Sequence, residues 1–142
     1  MKYMLIMRAT DEAVEAYKDM PFEQVIEAMG KYNESMIKAG VLVAGEGLTD
    51  AAEGFVVDFS AEKPLITDGP YGETKELFNG FWIIEVATRE EAAEWASRAP
   101  LGPGSFLEVR RVTGVEDFPA DNEWIQKEAG WREEEEARRA RQ

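Results

Sequence analysis

The sequence predicts an α+β fold, a ferredoxin-like sandwich with two helices on one face of an antiparallel sheet. Three observations carry this expectation. The chain has 142 residues, the size of one ordinary domain, with 44% hydrophobic and 32% charged residues. Short apolar or alternating runs recur along it, while two stretches repeat their apolar residues every three or four positions. The resulting order is strand, helix, strand, inserted hairpin, strand, helix, strand.

KYMLIMR at 2–8 reads as a buried first strand. In the following segment Asp19 is a candidate helix cap, with Pro21 and Glu23 in the first turn. Phe22, Val25, Ile26, Met29, Tyr32, Met36 and Ile37 then form an amphipathic stripe, and Gly40 stands where a helix C-terminal glycine belongs. VLVAGEGL at 41–48 reads as a strand bent by Gly45 and Gly47. GFVVDF at 54–59 pairs with KPLITDG at 63–69 as a hairpin across Ser60-Ala61-Glu62. LFNGFWIIEV at 77–86 is the long central strand, with a bulge at Asn79-Gly80. Thr88 and Glu91 make a capping box for the second helix, which Pro100 helps to end, and SFLEVRRV at 105–112 alternates as the last strand. The core domain is expected over 1–114. A helical extension follows over 115–142, where Glu134 and Glu135 precede Arg138 and Arg139 by four residues and Trp124 and Trp131 could anchor the arm.

Composition narrows the function. No Cys means no thiolate nucleophile or zinc–sulfur site, and no His removes the usual acid/base group at neutral pH and the commonest transition-metal ligand. No metal site and no cofactor motif is legible: GEG at 45–47 lacks the third glycine of a dinucleotide fingerprint. A net charge of −13 repels phosphate backbones, so nucleic acid is not an expected partner. No run is long enough to span a membrane, and the N-terminus reads as a strand and not as a signal peptide; a cytoplasmic protein is expected.

The densest chemistry lies in TDGPYGETKE at 67–76. Asp68 is the candidate catalytic group. Gly69, Pro70, Tyr71, Glu73 and Lys75 form the rim around it, with Glu73, Glu46 or Glu108 as a second carboxylate and Lys75 or Arg110 as an anchor for an anionic substrate. A structural reading stands beside this one: Asp68 closes an Asx-turn on the next one or two N–H groups, Pro70 fixes its own φ, and Glu73 pairs with Lys75.

Asp68-Gly69-Pro70-Tyr71 and Glu73-Thr74-Lys75-Glu76, with KYMLIM, AGVLVAGEGL and SFLEVRRV in that order, resemble the YCII-related superfamily and its DGPF branch over residues 1 to about 113. The resemblance implies a dimeric α/β-barrel of ferredoxin-like subunits, and by gene context a link to a sigma factor. Some members of the wider group carry an Asp–His pair proposed as an acid/base dyad, and one known activity there is a dehydrochlorination. This chain has no histidine with which to build that dyad. The open face of the sheet independently suggests a homodimer. Two functions are therefore expected: a homodimeric small-molecule-binding or interaction module with a regulatory role, or a metal-free enzyme that uses Asp68 for proton transfer or elimination on a small acidic molecule.

Overall fold

In the computed structural model, which describes residues 1–69 and 76–142, the first strand β1 (Lys2–Thr10) runs straight into a helix. The Thr10 hydroxyl accepts a hydrogen bond from the Ala13 N–H at 3.2 Å and so caps α1 (Asp11–Lys18), with Asp11 and Glu12 favourably placed in its first turn. Asp19 therefore does not cap the next helix, as the sequence suggested. It ends α1, and Pro21 occupies the N-cap position of α2 (Phe22–Lys38) without a side-chain cap. At the far end of α2, Gly40 takes φ +73°, the Gly40 N–H bonds to the Ile37 carbonyl, and the Val41 N–H bonds to that of Met36. That is a Schellman ending, which turns the chain into β2 (Leu42–Gly47).

The hairpin forms as expected from β3 (Phe55–Asp58) and β4 (Leu65–Asp68), which pair antiparallel in a separate two-stranded sheet. Its turn is tied by Asp58, whose carboxylate accepts from the Ser60 N–H at 2.8 Å and from the Ser60 hydroxyl. The long strand β5 (Glu76–Glu85) follows, then α3 (Arg89–Ser97) and β6 (Ser105–Arg111). Thr88 caps α3 through the Glu91 N–H, while the Glu91 carboxylate reaches back to the Ala87 N–H, one residue beyond the usual box partner.

The four long strands are ordered β2-β5-β1-β6, each antiparallel to its neighbour. This is the ferredoxin-like order, in which each of the two crossovers skips one strand. Directly opposed residues share a face, so the register sorts the sheet into two sides. Tyr3, Leu5 and Ala9 of β1 with Trp82 and Ile84 of β5 lie on the helix side, buried together with Tyr32, Met36 and Ala92. The Trp82 indole donates to the Asn33 amide oxygen at 2.9 Å and meets the Tyr32 ring edge-on at 5.1 Å. The Tyr32 hydroxyl donates to the Trp95 carbonyl at 2.7 Å, and burial pushes its pKa up to about 12. Gly45 does not simply bend β2: a Cβ there would stand 2.7 Å from the Trp82 ring, so the glycine makes room for the indole.

Met1–Arg111 makes one compact unit and Val112–Gln142 a second. In the second, the Asn122 carboxamide accepts from the Trp124 and Ile125 N–H groups and starts α4 (Glu123–Ala140). Glu123–Lys127, Glu128–Arg132 and Glu135–Arg139 pair along its surface, and the Lys127 ammonium sits over the Trp124 ring at 4.3 Å. Trp124 and Trp131 are both more than half exposed.

Candidate functional site

The corner at Asp68 is held by its glycine. The Gly69 N–H donates to the Gly54 carbonyl at 2.9 Å, and a Cβ on Gly69 would lie 2.5 Å from the Ala51 carbonyl oxygen. The Gly69 N–H is therefore committed to the backbone, and Pro70 has no N–H, so Asp68 closes no Asx-turn on the next two residues. The comparable turn occurs at Asp58 instead, where hydrogen bonds from Ser60 hold the carboxyl below the ordinary carboxylate range. Among the described residues, the exposed Asp68 side chain has no hydrogen-bond or ion-pair partner. Pro70, Tyr71, Glu73 and Lys75 lie outside the described residues.

The remaining expected residues lie on the side of the main sheet that faces away from the helices. Register puts Glu46, Phe81, Ile6 and Glu108 in one row across the four strands. At about 4.8 Å per strand, Glu46 and Glu108 are roughly 14 Å apart, too far to act as a carboxylate pair on one proton. Arg110 shares this face two residues from Glu108, and Glu108 itself faces the Arg8 guanidinium at 3.7 Å. Asp68 ends the separate hairpin sheet. These groups are thus divided between two sheets, and the two carboxylates of the main sheet do not converge.

What Gly69 does position is the segment it presses on. Leu48, Thr49 and Asp50 are fastened at one end by the Leu48 N–H, which donates to the Asn79 carbonyl at 2.8 Å. At the other end the chain enters the short 3₁₀ turn Ala51–Glu53, against which Gly69 is seated. Asn79 is the extra residue of β5: Gly80 pairs with Met7 and Phe78 with Arg8, leaving Asn79 as the predicted bulge. Leu48, Thr49, Asp50 and Asn79 together line a cavity of about 270 Å³ at the end of β1, closed by Val14, Tyr17, Val25 and Met29 from α1 and α2. A second cavity of about 360 Å³ lies between α1, α2 and the connector Pro100–Pro103, lined by Ala13, Ala16, Met20 and Ala28 among others. Tyr17, Val25 and Leu101 line both, so the two chambers lie side by side along these residues, and we treat them as one two-part cleft with Tyr17 at its waist. The Tyr17 ring is fixed there, its hydroxyl donating to the Pro100 carbonyl and accepting from the Gly102 N–H at 3.2 Å.

The larger chamber, here called outer, is apolar apart from Gln24; the smaller, called inner for its place at the end of β1 and no less open, adds the Asp50 carboxylate, the hydroxyls of Thr49 and Ser105 and the Asn79 amide. Arg8 borders it from β1, while its guanidinium faces Glu108 on the other side of the sheet. Alone, the inner chamber falls just below the roughly 300–1,000 Å³ range of small-molecule pockets and the outer one sits at its low end; taken together they fall within it. Sequence reasoning missed this cleft because small apolar residues build most of it. Among the described residues no group of three or more acidic side chains could hold a metal ion.

A ferredoxin-like α+β domain with an apolar cleft on its helix side is the class defined by fold and site. The family model of the YCII-related domain matches residues 1–118, and the chain belongs to that family. It is 28% identical over 113 residues to an uncharacterized protein of Rhizobium meliloti (strain 1021), covering 78% of this chain and 90% of that one. Among solved structures it is similar to 5-chloro-2-hydroxyhydroquinone dehydrochlorinase from Burkholderia phenoliruptrix in complex with 2,5-dihydroxybenzoquinone, at 14% identity and TM-score 0.45, over 84% of this chain and 100% of that one.

Proposed function

We propose that the chain is a cytoplasmic, homodimeric small-molecule-binding module with a regulatory role, whose ligand enters the two-chambered cleft. The observation that carries this is the cleft itself: mostly aliphatic walls around Tyr17, with a few polar side chains at one end. The Asp68–Gly69 corner belongs to this reading as the brace behind Ala51 and Asp50. An elimination enzyme built on Asp68 would need a second carboxylate and a cation beside it. Of the partners expected for it, Glu46, Glu108 and Arg110 lie in the main sheet, while Glu73 and Lys75 lie outside the described residues.

The dimer reading rests on the sheet side away from the helices. Met4, Ile6, Phe78, Phe81, Ile83 and Phe106 make it apolar, with Phe106 53% exposed. Lys2, Arg8 and Arg110 share this face with Glu46, Glu85 and Glu108. An apolar face of this kind suits a second copy better than it suits water. No helix among the described residues is long and apolar enough to cross a membrane.

Two measurements test the reading. Small aromatic amines, alcohols and acids are screened by thermal shift against wild type and Ala28→Trp, which fills the outer chamber. Stabilisation of wild type that disappears in the variant is expected, and equal stabilisation of both sinks the cleft as the site. Light scattering at low micromolar concentration is expected to give a dimer for wild type and a monomer for Phe106→Arg; a wild-type monomer rules the dimer out.

A further inference from the structure

We propose that the cleft takes a small cationic amphiphile, an amine whose ammonium meets the Asp50 carboxylate and whose apolar body fills the outer chamber. This deepens the reading above and rests on the cleft being a binding site. The first argument is the separation of chemistry along the cleft. Ala13, Ala16, Met20, Ala28 and Pro103 offer an apolar body only dispersion and burial, while charged groups occur only past the waist at Tyr17. A ligand filling both chambers must therefore be apolar at one end and polar at the other.

The second argument decides the sign of the polar end. Two charged residues line the inner chamber, Arg8 and Asp50. The Arg8 guanidinium, however, faces Glu108 at 3.7 Å on the side of the sheet away from the helices. The Asp50 carboxylate accepts no hydrogen bond among the described residues, and it makes no cap bond although it stands at the N-cap of the 3₁₀ turn. Lys18 feels its charge, but the Lys18 ammonium is hydrogen-bonded to Glu15 at 3.1 Å. The polar end thus offers one carboxylate without a hydrogen-bonded cation, beside the hydroxyls of Thr49 and Ser105 and the Asn79 amide, which can take the ammonium's other protons. The net charge of −13 also favours the approach of a cation over that of an anion. Arg110, the anchor expected for an acidic substrate, lines neither chamber.

The test is calorimetric titration of the full chain with phenethylamine, phenethyl alcohol and phenylacetate, which share a ring and differ in the charge of the head. Asp50 is exposed, so its ion pair with the amine is worth about fivefold in Kd over the alcohol, the upper end for solvent-exposed pairs. The expected order is amine tightest, alcohol next, acid weakest. High salt should narrow the gap between amine and alcohol, and Asp50→Asn should erase it while leaving alcohol binding in place. An amine no tighter than the alcohol, or a preference that survives in Asp50→Asn, overturns the proposal. If all three bind equally and Ala28→Trp abolishes them, the charge assignment fails and the cleft stands. If none binds, this inference fails, and the thermal-shift panel decides the fate of the cleft separately. The salt dependence in wild type keeps the test decisive even if the Asn variant folds poorly.

Discussion

Replacing Gly69 by alanine tests whether the corner braces the cleft. The added Cβ would stand 2.5 Å from the Ala51 carbonyl oxygen, where ordinary contact begins at 3.4 Å, so one of the two must move by about 0.9 Å. Both are backbone, and neither can swing away as a flexible side chain would. Ala51 is held because its carbonyl accepts the Gly54 N–H at 3.1 Å, while Gly69 donates its own N–H to Gly54. The strain therefore falls on two hydrogen bonds and the turn between them. Overpacking of this kind costs about 1–3 kcal/mol. For a unit of the length of Met1–Arg111, each kcal/mol lowers Tm by roughly 3–6 °C, so a fall of about 3–18 °C is expected. Gly47→Ala is the control, since nothing lies within 4 Å of a Cβ there. Removing that glycine's freedom in the unfolded chain should leave Tm unchanged or raise it slightly. Paired thermal melts, each with and without phenethyl alcohol, give the readout. Gly69→Ala melting within a degree of wild type, with its ligand response intact, would refute the claim that Gly69 braces Ala51 and Asp50.

Tyr32→Phe removes the donor to the Trp95 carbonyl but keeps the ring against Trp82; that carbonyl still accepts from the Arg98 N–H, so urea denaturation should show a loss of only about 0.5–1.5 kcal/mol. The same pair predicts a pH effect. The unfolded phenol ionises near its ordinary value of 10 and the folded one near 12, so the unfolded chain binds fewer protons in that window and stability falls as pH rises through it. The wild type should therefore lose stability faster than Tyr32→Phe between these values, and parallel slopes would contradict the burial argument. Thr88→Ala removes the acceptor for the Glu91 N–H and should destabilise by about 0.5–2 kcal/mol in the same assay.

The parts of the fold that the sequence made legible are those written within a few residues. Gly40 ends α2, Thr88 and Glu91 begin α3, Asn79 bulges β5, and β3 pairs with β4 across Ser60. Each is a local conflict with one local solution. The eight-residue helix α1 was not separable from α2, because its apolar positions run into the same stripe, and Asp19 looked like a start although it ends a helix. The site was harder still. Charge and glycine concentrate at Asp68, but Gly69 does its work on Ala51, eighteen residues earlier, and the cleft draws its walls from residues as far apart as Ala13 and Pro103. Alanine and proline carry no chemical signature, so only the fold could bring them together.

The one-residue excess at Asn79 has a consequence for assembly of the sheet. On its account Phe78 and Phe81 share a face while Gly80 and Trp82 share the other, so the strand changes parity partway along. A regular ladder can slip by two residues and still present the same side chains to the same sides. This one cannot, because the irregularity in β5 must fall opposite the step from Met7 to Arg8, and any displacement carries it onto partners with no compensating gap. The bulge works as a detent, indexing the two central strands to a single alignment.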